Sequence, residues 1–462
     1  MKKLNRRNFL KSAAITAAGL SILPEFTQAN SPIKFNRNKP NGKLNIAFIG
    51  VGLRGRSHVA LVAKYKDVDI TAICDLDKDA IKQTQKILRE HSRKEAEVYT
   101  GDEYAFMKLL ERDDVDGVII STPWLWHTRM AVASMRAGKY PGLEVSAANT
   151  IDECWDLVNT SEETGVPLML LENVCFARES MALLKMIREG VFGETVHATC
   201  GYQHDLREVK FNNGKQPYGG GVEFGEKGFS EAKWRTEHSL KRNADIYPTH
   251  GIGPVATWFD INRGNRFVSL TSTATKSVGL HSYIVNHPQG GKNHPNAKIQ
   301  WKLGDIVTSV IKTANGETII VKHDTNLPRP YSWGFTMHAE KGVWCGQFEG
   351  KRMYIEGKSK PHHWTEGDEY TQIMKKYDHE WWQEEEKKAE GAGHGGIDYF
   401  TIKAFIDSVK NGVQPPIDVY DAAAWSAITP LSEASIASNS SPQFFPDFTR
   451  GRWMTNERIF LP

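Results

Sequence analysis

Cysteine is scarce in this chain, five among 462 residues at positions 74, 154, 175, 200 and 345, and no two form a C-x-x-C pair. That spacing removes the usual metal and redox pairings. The odd count favours buried free thiols over a disulfide scaffold, and Cys74 falls in an apolar strand. Long apolar runs are missing too. The longest, Ala13 to Leu23, is too short to cross a bilayer, so no stable membrane span is expected. Charge of one sign is also lacking. The formal charge is +3, and the first 29 residues carry five Lys/Arg against one acid, which leaves −1 for the rest. No basic stripe remains to hold nucleic acid. His362, His363, His379 and His394 match no metal-ligand spacing, so no metal is expected. There is no internal repeat and no coiled-coil heptad.

What is present begins at Leu44. The apolar segment Leu44-Asn45-Ile46-Ala47-Phe48-Ile49 runs into Gly50-Val51-Gly52-Leu53-Arg54-Gly55 and then a helical stretch. This is a dinucleotide fingerprint. Its first glycine permits the tight turn, its second lets backbone approach a pyrophosphate, and its third lets helix and strand pack closely. Asp75 ends the next strand, Val68-Asp69-Ile70-Thr71-Ala72-Ile73-Cys74, where a carboxylate accepts hydrogen bonds from an adenosine ribose and disfavours a 2′-phosphate. The bland alternative, a Gly-rich turn with a surface acid, does not explain the ordered succession of strand, glycines, helix and acid.

Ahead of the fingerprint, Arg6-Arg7-Asn8-Phe9-Leu10-Lys11 precedes the short apolar run, and Thr27-Gln28-Ala29 resembles a cleavage site. This reads as a twin-arginine export signal, with a plain Sec leader as the alternative. Twin-arginine export carries folded proteins, so the translocase is an expected partner and the periplasm the expected destination. A periplasm holds little free nucleotide, which implies a tightly bound NAD that is regenerated within each turnover.

From Leu44 to about Leu171 strands near 44–49, 68–74, 115–121, 142–145 and 167–171 alternate with helices such as Lys78–His91, which predicts a doubly wound parallel sheet. Beyond Val174, segments 195–201, 267–277, 306–313, 318–322 and 334–339 read as strands with few intervening helices. Asn315-Gly316 marks a hairpin. The expected fold class is α/β, an N-terminal Rossmann sheet followed by an α+β domain with a mainly antiparallel open sheet. The expected divisions are a signal peptide at 1–29, a linker at 30–43, the nucleotide domain at 44–171 and a substrate domain at 172–462. Loops at 214–225, 286–296 and 357–366 read as irregular.

A Rossmann half followed by an antiparallel sheet resembles the glucose–fructose oxidoreductase and inositol dehydrogenase superfamily. More closely, the chain resembles glycoside hydrolase family 109, the NAD-dependent α-N-acetylgalactosaminidases. The segments that carry this are 52–55, Trp124-Leu125-Trp126-His127, Glu172-Asn173-Val174-Cys175, 201–207, 230–235, Tyr247-Pro248-Thr249-His250-Gly251, 260–266, Arg329-Pro330-Tyr331 and Gly391-Ala392-Gly393-His394-Gly395-Gly396. The superfamily's dehydrogenases carry Glu-Lys-Pro where this chain has Glu144-Val145-Ser146. The missing lysine speaks against an ordinary sugar dehydrogenase. Gly50, not always kept in the family, is present here.

The resemblance implies oxidation at sugar C3, elimination across C1–C2, addition of water and reduction, with retention and no net use of NAD. It places Tyr202 and His250 as proton-transfer groups, and Tyr202, Arg235, Tyr247, His250 and Tyr331 on the substrate. Imidazole titrates near working pH, and the Arg235 fork suits a sugar hydroxyl or acetamido carbonyl. His204 and Asp205 are weaker candidates for the same site. On the cofactor it places Gly50, Gly52, Leu53, Arg54, Gly55, Asp75, Trp124, Leu125, Trp126, His127, Glu144, Val145, Asn173 and Tyr247. The expected substrate is a glycan ending in α-linked N-acetylgalactosamine. The alternatives are a periplasmic NAD(P)-dependent sugar oxidoreductase with net hydride transfer and a non-catalytic sugar-binding module. A homo-oligomer is left open.

Overall fold

The computed structural model describes residues 43–458 and 460, so the leader with its paired arginines lies outside the described residues, as does all but the last residue of the linker. Strands β1 (Leu44–Ile49), β2 (Val68–Cys74), β3 (Glu97–Tyr99), β4 (Gly117–Ile120), β5 (Tyr140–Leu143) and β6 (Met169–Leu170) form one sheet in the order β3-β2-β1-β4-β5-β6. Every pairing is parallel. The order reverses between β1 and β4, which is where doubly wound sheets bind ligands. Ile46, Ala47, Phe48 and Ile49 are all at most 1% exposed, as expected for a strand covered on both faces. Asp77 caps the helix Lys78–Glu90 through the N–H groups of Asp79 and Ala80. Thr150 starts the helix Ile151–Thr164 and left-handed Gly165 ends it.

The sequence spacing misplaces one strand here and misses another. β5 begins at Tyr140 rather than 142, because Pro141-Gly142 imitates turn punctuation. Gly142 is instead a packing requirement: a Cβ there would lie 2.9 Å from the ring of Phe405. β3 is only three residues long and mostly exposed, so it has no apolar pattern to find.

The second sheet contains β7 (Thr195–Gln203), β8 (Phe267–Ala274), β9 (Ile306–Thr313), β10 (Thr318–Asp324), β11 (Thr336–Ala339), β12 (Gly342–Cys345), β13 (Arg352–Ile355) and β14 (Gln443–Phe444). Their order is β13-β12-β11-β7-β10-β9-β8-β14. All pairs are antiparallel except β7 with β10, which places Tyr202 opposite His323. Gly316, at φ 105°, makes the expected turn between β9 and β10.

The expectation of few helices beyond Val174 is corrected. Helices Arg178–Arg188, Thr249–Trp258, Ile397–Asn411, Val419–Ser426 and Ile428–Ala437 are among those present. Ile397–Asn411 buries most of its residues, including the polar Asp398, Thr401 and Ser408, and leaves only a narrow half-exposed stripe at Tyr399, Lys403, Asp407 and Lys410, so its polar face is hard to tell from its buried polar positions by periodicity. It covers the first sheet, with Phe405 against Gly117 and Gly142, and the Leu170 N–H bonds to the carbonyl of Ile417. The C-terminal segment thus returns to the first sheet, and one apolar core runs from Phe48 through Phe405 and Trp425 to Met337. All five cysteines are buried and free. No helix among the described residues is long and apolar enough to cross a membrane.

Candidate active site

Two glycines decide where His250 stands. The helix Thr249–Trp258 presses its first turn onto β7, where a Cβ on Gly251 would lie 2.7 Å from the backbone nitrogen of Gly201. One turn face further, Gly253 fits against Cys175, Glu172 and Trp425. This close approach sets the His250 ring 5.4 Å from that of Tyr202, edge to face, and 5.0 Å from Tyr247. Behind His250 lies Glu172, fully buried just past β6. The two Glu172 oxygens accept from His250 Nδ1 at 2.8 and 2.9 Å, and Oε1 also accepts from the N–H of Val174 at 3.0 Å. A proton on Nδ1 leaves Nε2 as the basic nitrogen. Sequence reasoning quoted Glu172 inside a motif but gave it no role. Nothing local shows a partner 78 positions away.

Tyr202 ends β7 at 7% exposure. Its hydroxyl lies 3.3 Å from His204 Nδ1. Burial pushes the phenol up and Arg235 only partly offsets it, so Tyr202 is a neutral acid at neutral pH. Burial and the neighbouring Arg235 both hold His204 below the usual histidine range. Tyr331 sits 6.0 Å from Tyr202 and 4.7 Å from His204. Tyr247 stacks on Trp124 at 5.4 Å, and the Arg235 guanidinium lies over both rings, 5.1 Å from Trp124 and 5.0 Å from Tyr247. Burial opposes the Arg235 charge, but Glu231, which accepts from Nη1 at 2.5 Å, together with Tyr202 and Tyr247 outweighs it. Tyr202, Arg235, Tyr247, His250 and Tyr331 therefore converge from four separate segments.

On the nucleotide side, Gly50 adopts φ +84° and a Cβ there would meet the Ser121 backbone at 2.7 Å. A Cβ on Gly55 would meet the Gly50 carbonyl oxygen at 2.1 Å. Both glycines are needed by the fold itself. Gly52 differs: nothing lies within 4 Å of its missing Cβ, and it precedes the helix Leu53–Val62, whose first turn has no side-chain cap. Open space before free helical N–H groups suits a phosphate. Asp75 accepts from the N–H groups of Val51 and Asp77 at 2.7 and 2.9 Å. Beyond it an open hollow of about 760 Å³ is lined by Leu76, Lys78, Thr100, Gly101, Asp102, Glu103 and Tyr104.

Other expected cofactor residues are distributed differently. The Arg54 side chain donates to Glu144 at 2.5 Å and to both oxygens of Asp398 at 2.6 and 3.1 Å, so it fastens the loop rather than reaching outward. Burial would raise the Glu144 carboxyl, but Arg54 and His58 outweigh it and hold it below the usual range. Val145 is buried. Asn173 donates to Asp398 at 2.7 Å, and its Oδ1 is buried without a hydrogen-bond partner. His394, in the glycine-rich segment, pairs with Asp398 at 2.9 Å. The run 124–127 diverges. Trp124 faces Tyr247, Leu125 is exposed, Trp126 packs edge-on to Tyr104, and buried His127 has its two ring nitrogens against the carbonyls of Ser146 and Thr122. With both nitrogens so engaged, His127 braces the 122–146 region.

These features define a Rossmann-type nucleotide domain joined to a sheet that carries a cluster of proton-transfer and aromatic groups. Residues 44–171 match the oxidoreductase family, NAD-binding Rossmann fold, and residues 176–455 match the glycosyl hydrolase 109 C-terminal domain. The chain belongs to glycosyl hydrolase family 109. It is 52% identical to an alpha-N-acetylgalactosaminidase of Tannerella forsythia, over 98% of this chain and 99% of that protein. It is 50% identical to a glycosyl hydrolase family 109 protein of Parabacteroides distasonis, with the same coverage. Levoglucosan dehydrogenase in complex with NADH shares the fold, with a TM-score of 0.61 at 17% identity over 87% of this chain and 99% of that one. The protein is thus a glycosyl hydrolase on an NAD-binding oxidoreductase fold. The open space at Gly52, the uncapped helix and the unpartnered Asn173 Oδ1 all fit NAD.

Proposed function

We propose that the chain removes terminal α-linked N-acetylgalactosamine from glycans by oxidation, elimination, addition and reduction, with retention. The observation that carries this reading is the Glu172–His250–Tyr202 group at the carboxyl ends of β6 and β7, whose neighbour Asn173 is joined through Asp398 to Arg54 of the dinucleotide fingerprint. The substrate follows the relative that shares half of its residues over its full length.

NAD, when bound, supplies a hydride acceptor that is returned to its starting state within one turnover. Gly52, Leu53 and the first-turn N–H groups would hold its phosphates, Asp75 its ribose, and Asn173 Oδ1 a carboxamide donor. His250 Nε2, fixed outward by Glu172, takes the proton of the sugar hydroxyl whose carbon becomes a ketone. The ketone acidifies the hydrogen on C2, because the resulting charge spreads to the carbonyl oxygen. Tyr202 and His204 transfer the proton at C2 or at the departing oxygen, with Tyr202 held neutral for donation. Arg235, already charged and seated on two rings, is a rigid fork for a hydroxyl or the acetamido carbonyl. Water then adds and the same groups act in reverse.

Hydrolysis of an aryl α-N-acetylgalactosaminide in D2O tests this. Deuterium at C2 of the released sugar is expected, with little cleavage of the gluco and β epimers. Release without deuterium at C2 overturns the elimination route. The rival reading, net oxidation of a sugar, lacks an amine at position 145, which is a buried valine.

We further propose export through the twin-arginine leader with NAD already held. Arg6→Lys with Arg7→Lys should leave active enzyme in the cytoplasmic fraction. Unchanged delivery to the periplasm would assign a Sec leader instead.

A further inference from the structure

The sugar-side residues are sealed unevenly. Trp124, Tyr202 and Arg235 are 4, 7 and 8% exposed, and Glu172 is buried behind His250. Exposure then grows in one direction. Tyr331 lies edge-on to Tyr202, and Trp333 and Phe348 lie edge-on to Tyr331 at 5.8 and 5.6 Å. Trp333 and Phe348 meet each other at 5.2 Å. Phe348 is 37% exposed. The group is pinned: Trp333 Nε1–H donates to the Tyr331 hydroxyl at 2.6 Å, and Ser332 Oγ–H donates to Glu349 at 2.9 Å. A lone exposed phenylalanine is unremarkable. Three mutually packed rings that lead from a sealed site to solvent are a continuous surface with a direction.

We propose that Tyr331, Trp333 and Phe348 form a binding ledge for the saccharide on the leaving side of the scissile bond. This rests on the proposed glycosidase reading. A terminal sugar whose C1–C2 edge meets Tyr202 cannot project its remaining chain toward Trp124, Tyr247 and Arg235, because those groups are packed on one another. The ring series that opens step by step to solvent from Tyr202 runs past Tyr331, and along it the next sugar meets Phe348. Sugar rings carry flat C–H faces, and these lose water favourably against aromatic faces whose polar edges stay wet. Glu349, held beside the ledge by Ser332, offers an acceptor for hydroxyls. Specificity beyond the terminal sugar is therefore set here.

The test uses full-length, NAD-loaded protein with Phe348→Ala and Phe348→Tyr. For Phe348→Ala, kcat/KM on a terminal α-N-acetylgalactosaminide of a disaccharide should fall about tenfold more than on the methyl glycoside, mainly through KM. Phe348→Tyr should restore most of the loss. Equal losses on both substrates, or none on either, would overturn the ledge. A second arm titrates wild type and Phe348→Ala calorimetrically with the disaccharide lacking the terminal sugar. Binding that weakens about tenfold in the variant supports the ledge, and absent or unchanged binding overturns it. If wild type cleaves no N-acetylgalactosaminide, the substrate reading fails and this titration, run with a panel of disaccharides, alone decides the ledge. A change of sedimentation in Phe348→Ala without any change in saccharide binding would make the rings a contact between copies and also overturn it.

Discussion

The two ends of the site are made from different materials. On the nucleotide side the essential features belong to the backbone: three glycines, a chain reversal and uncapped N–H groups, all within residues 50–55 plus one acid at 75. On the sugar side they belong to side chains from 172, 202, 235, 247–250 and 331, which meet only because Gly251 lets a helix touch β7. A backbone site tolerates no Cβ in its turn, whereas a side-chain site fails one functional group at a time.

Changes to single groups on the sugar side should show the largest effects while leaving the other end intact. His250→Ala and Tyr202→Phe should each cost about 10²–10⁴-fold in kcat/KM, the range for a positioned acid or base. Both variants should still release NAD on denaturation. Loss of NAD along with activity would mean that the two ends are not separable. Next in size is a pair of glycine variants. Gly52→Val should fold with an unchanged nucleotide-free melting temperature yet bind NAD roughly a hundredfold more weakly, about 2.7 kcal/mol. Gly55→Ala should lose fold and binding together, since its Cβ would strike the Gly50 carbonyl oxygen. Equal melting temperatures for the two would erase the distinction between a glycine kept for the ligand and one kept for the chain.

Little of the sugar side was legible without the family resemblance, for a physical reason. The fingerprint is local, with strand, glycines and acid in chain order, so spacing alone reveals it. The Glu172–His250 pair spans 78 positions, and no periodicity encodes a contact that depends on Gly251 and Gly253 letting their helix approach β7 and the segment after β6. The run 124–127 looked like a unit and is not one, because successive residues at a helix start point in different directions. Both sheets were legible in outline from alternation, but the short strands β3, β12, β13 and β14 were not. Nor was the helix Ile397–Asn411, since polar residues on its buried faces, Asp398, Thr401 and Ser408, blur the narrow stripe of Tyr399, Lys403, Asp407 and Lys410. Pro141-Gly142 concealed the start of β5 behind turn residues that packing against Phe405 requires.

A smaller effect belongs to the support beneath Tyr247. Asp245 is 1% exposed, accepts from the Tyr247 N–H at 3.2 Å, and leaves its other oxygen without a partner. Burial pushes its carboxyl from 3.8 up to about 7, with the Tyr247 bond pulling the other way. A folded-state value above the unfolded one means that folding takes up a proton. The Asp245 contribution to stability is therefore most favourable below about pH 4, falls as pH rises toward 7 and levels off beyond it. Asp245→Asn keeps an acceptor and removes the titration. It should be more stable than the parent at pH 8 by about 2 kcal/mol and flatter between pH 4 and 7, as read by urea unfolding. A parallel pH profile in both proteins would contradict this. Smallest of all, Asp75→Asn should narrow the preference for NAD over NADP by about tenfold in calorimetric titration, because the charge facing a 2′-phosphate is gone. An unchanged ratio would place the selectivity elsewhere, in the hollow around Leu76 and Tyr104.

Arg54 imposes an order on the life of the molecule. Its guanidinium joins the fifth residue of the fingerprint to Glu144 and to Asp398, 90 and 344 positions further along. Synthesis proceeds from the amino end, and domains generally fold as they emerge, but this nucleotide site cannot be fastened until residue 398 has emerged. A chain interrupted anywhere before that point carries every glycine of the fingerprint and still lacks the clasp. The cofactor site begins with the fingerprint and is completed only by a residue made 344 positions later.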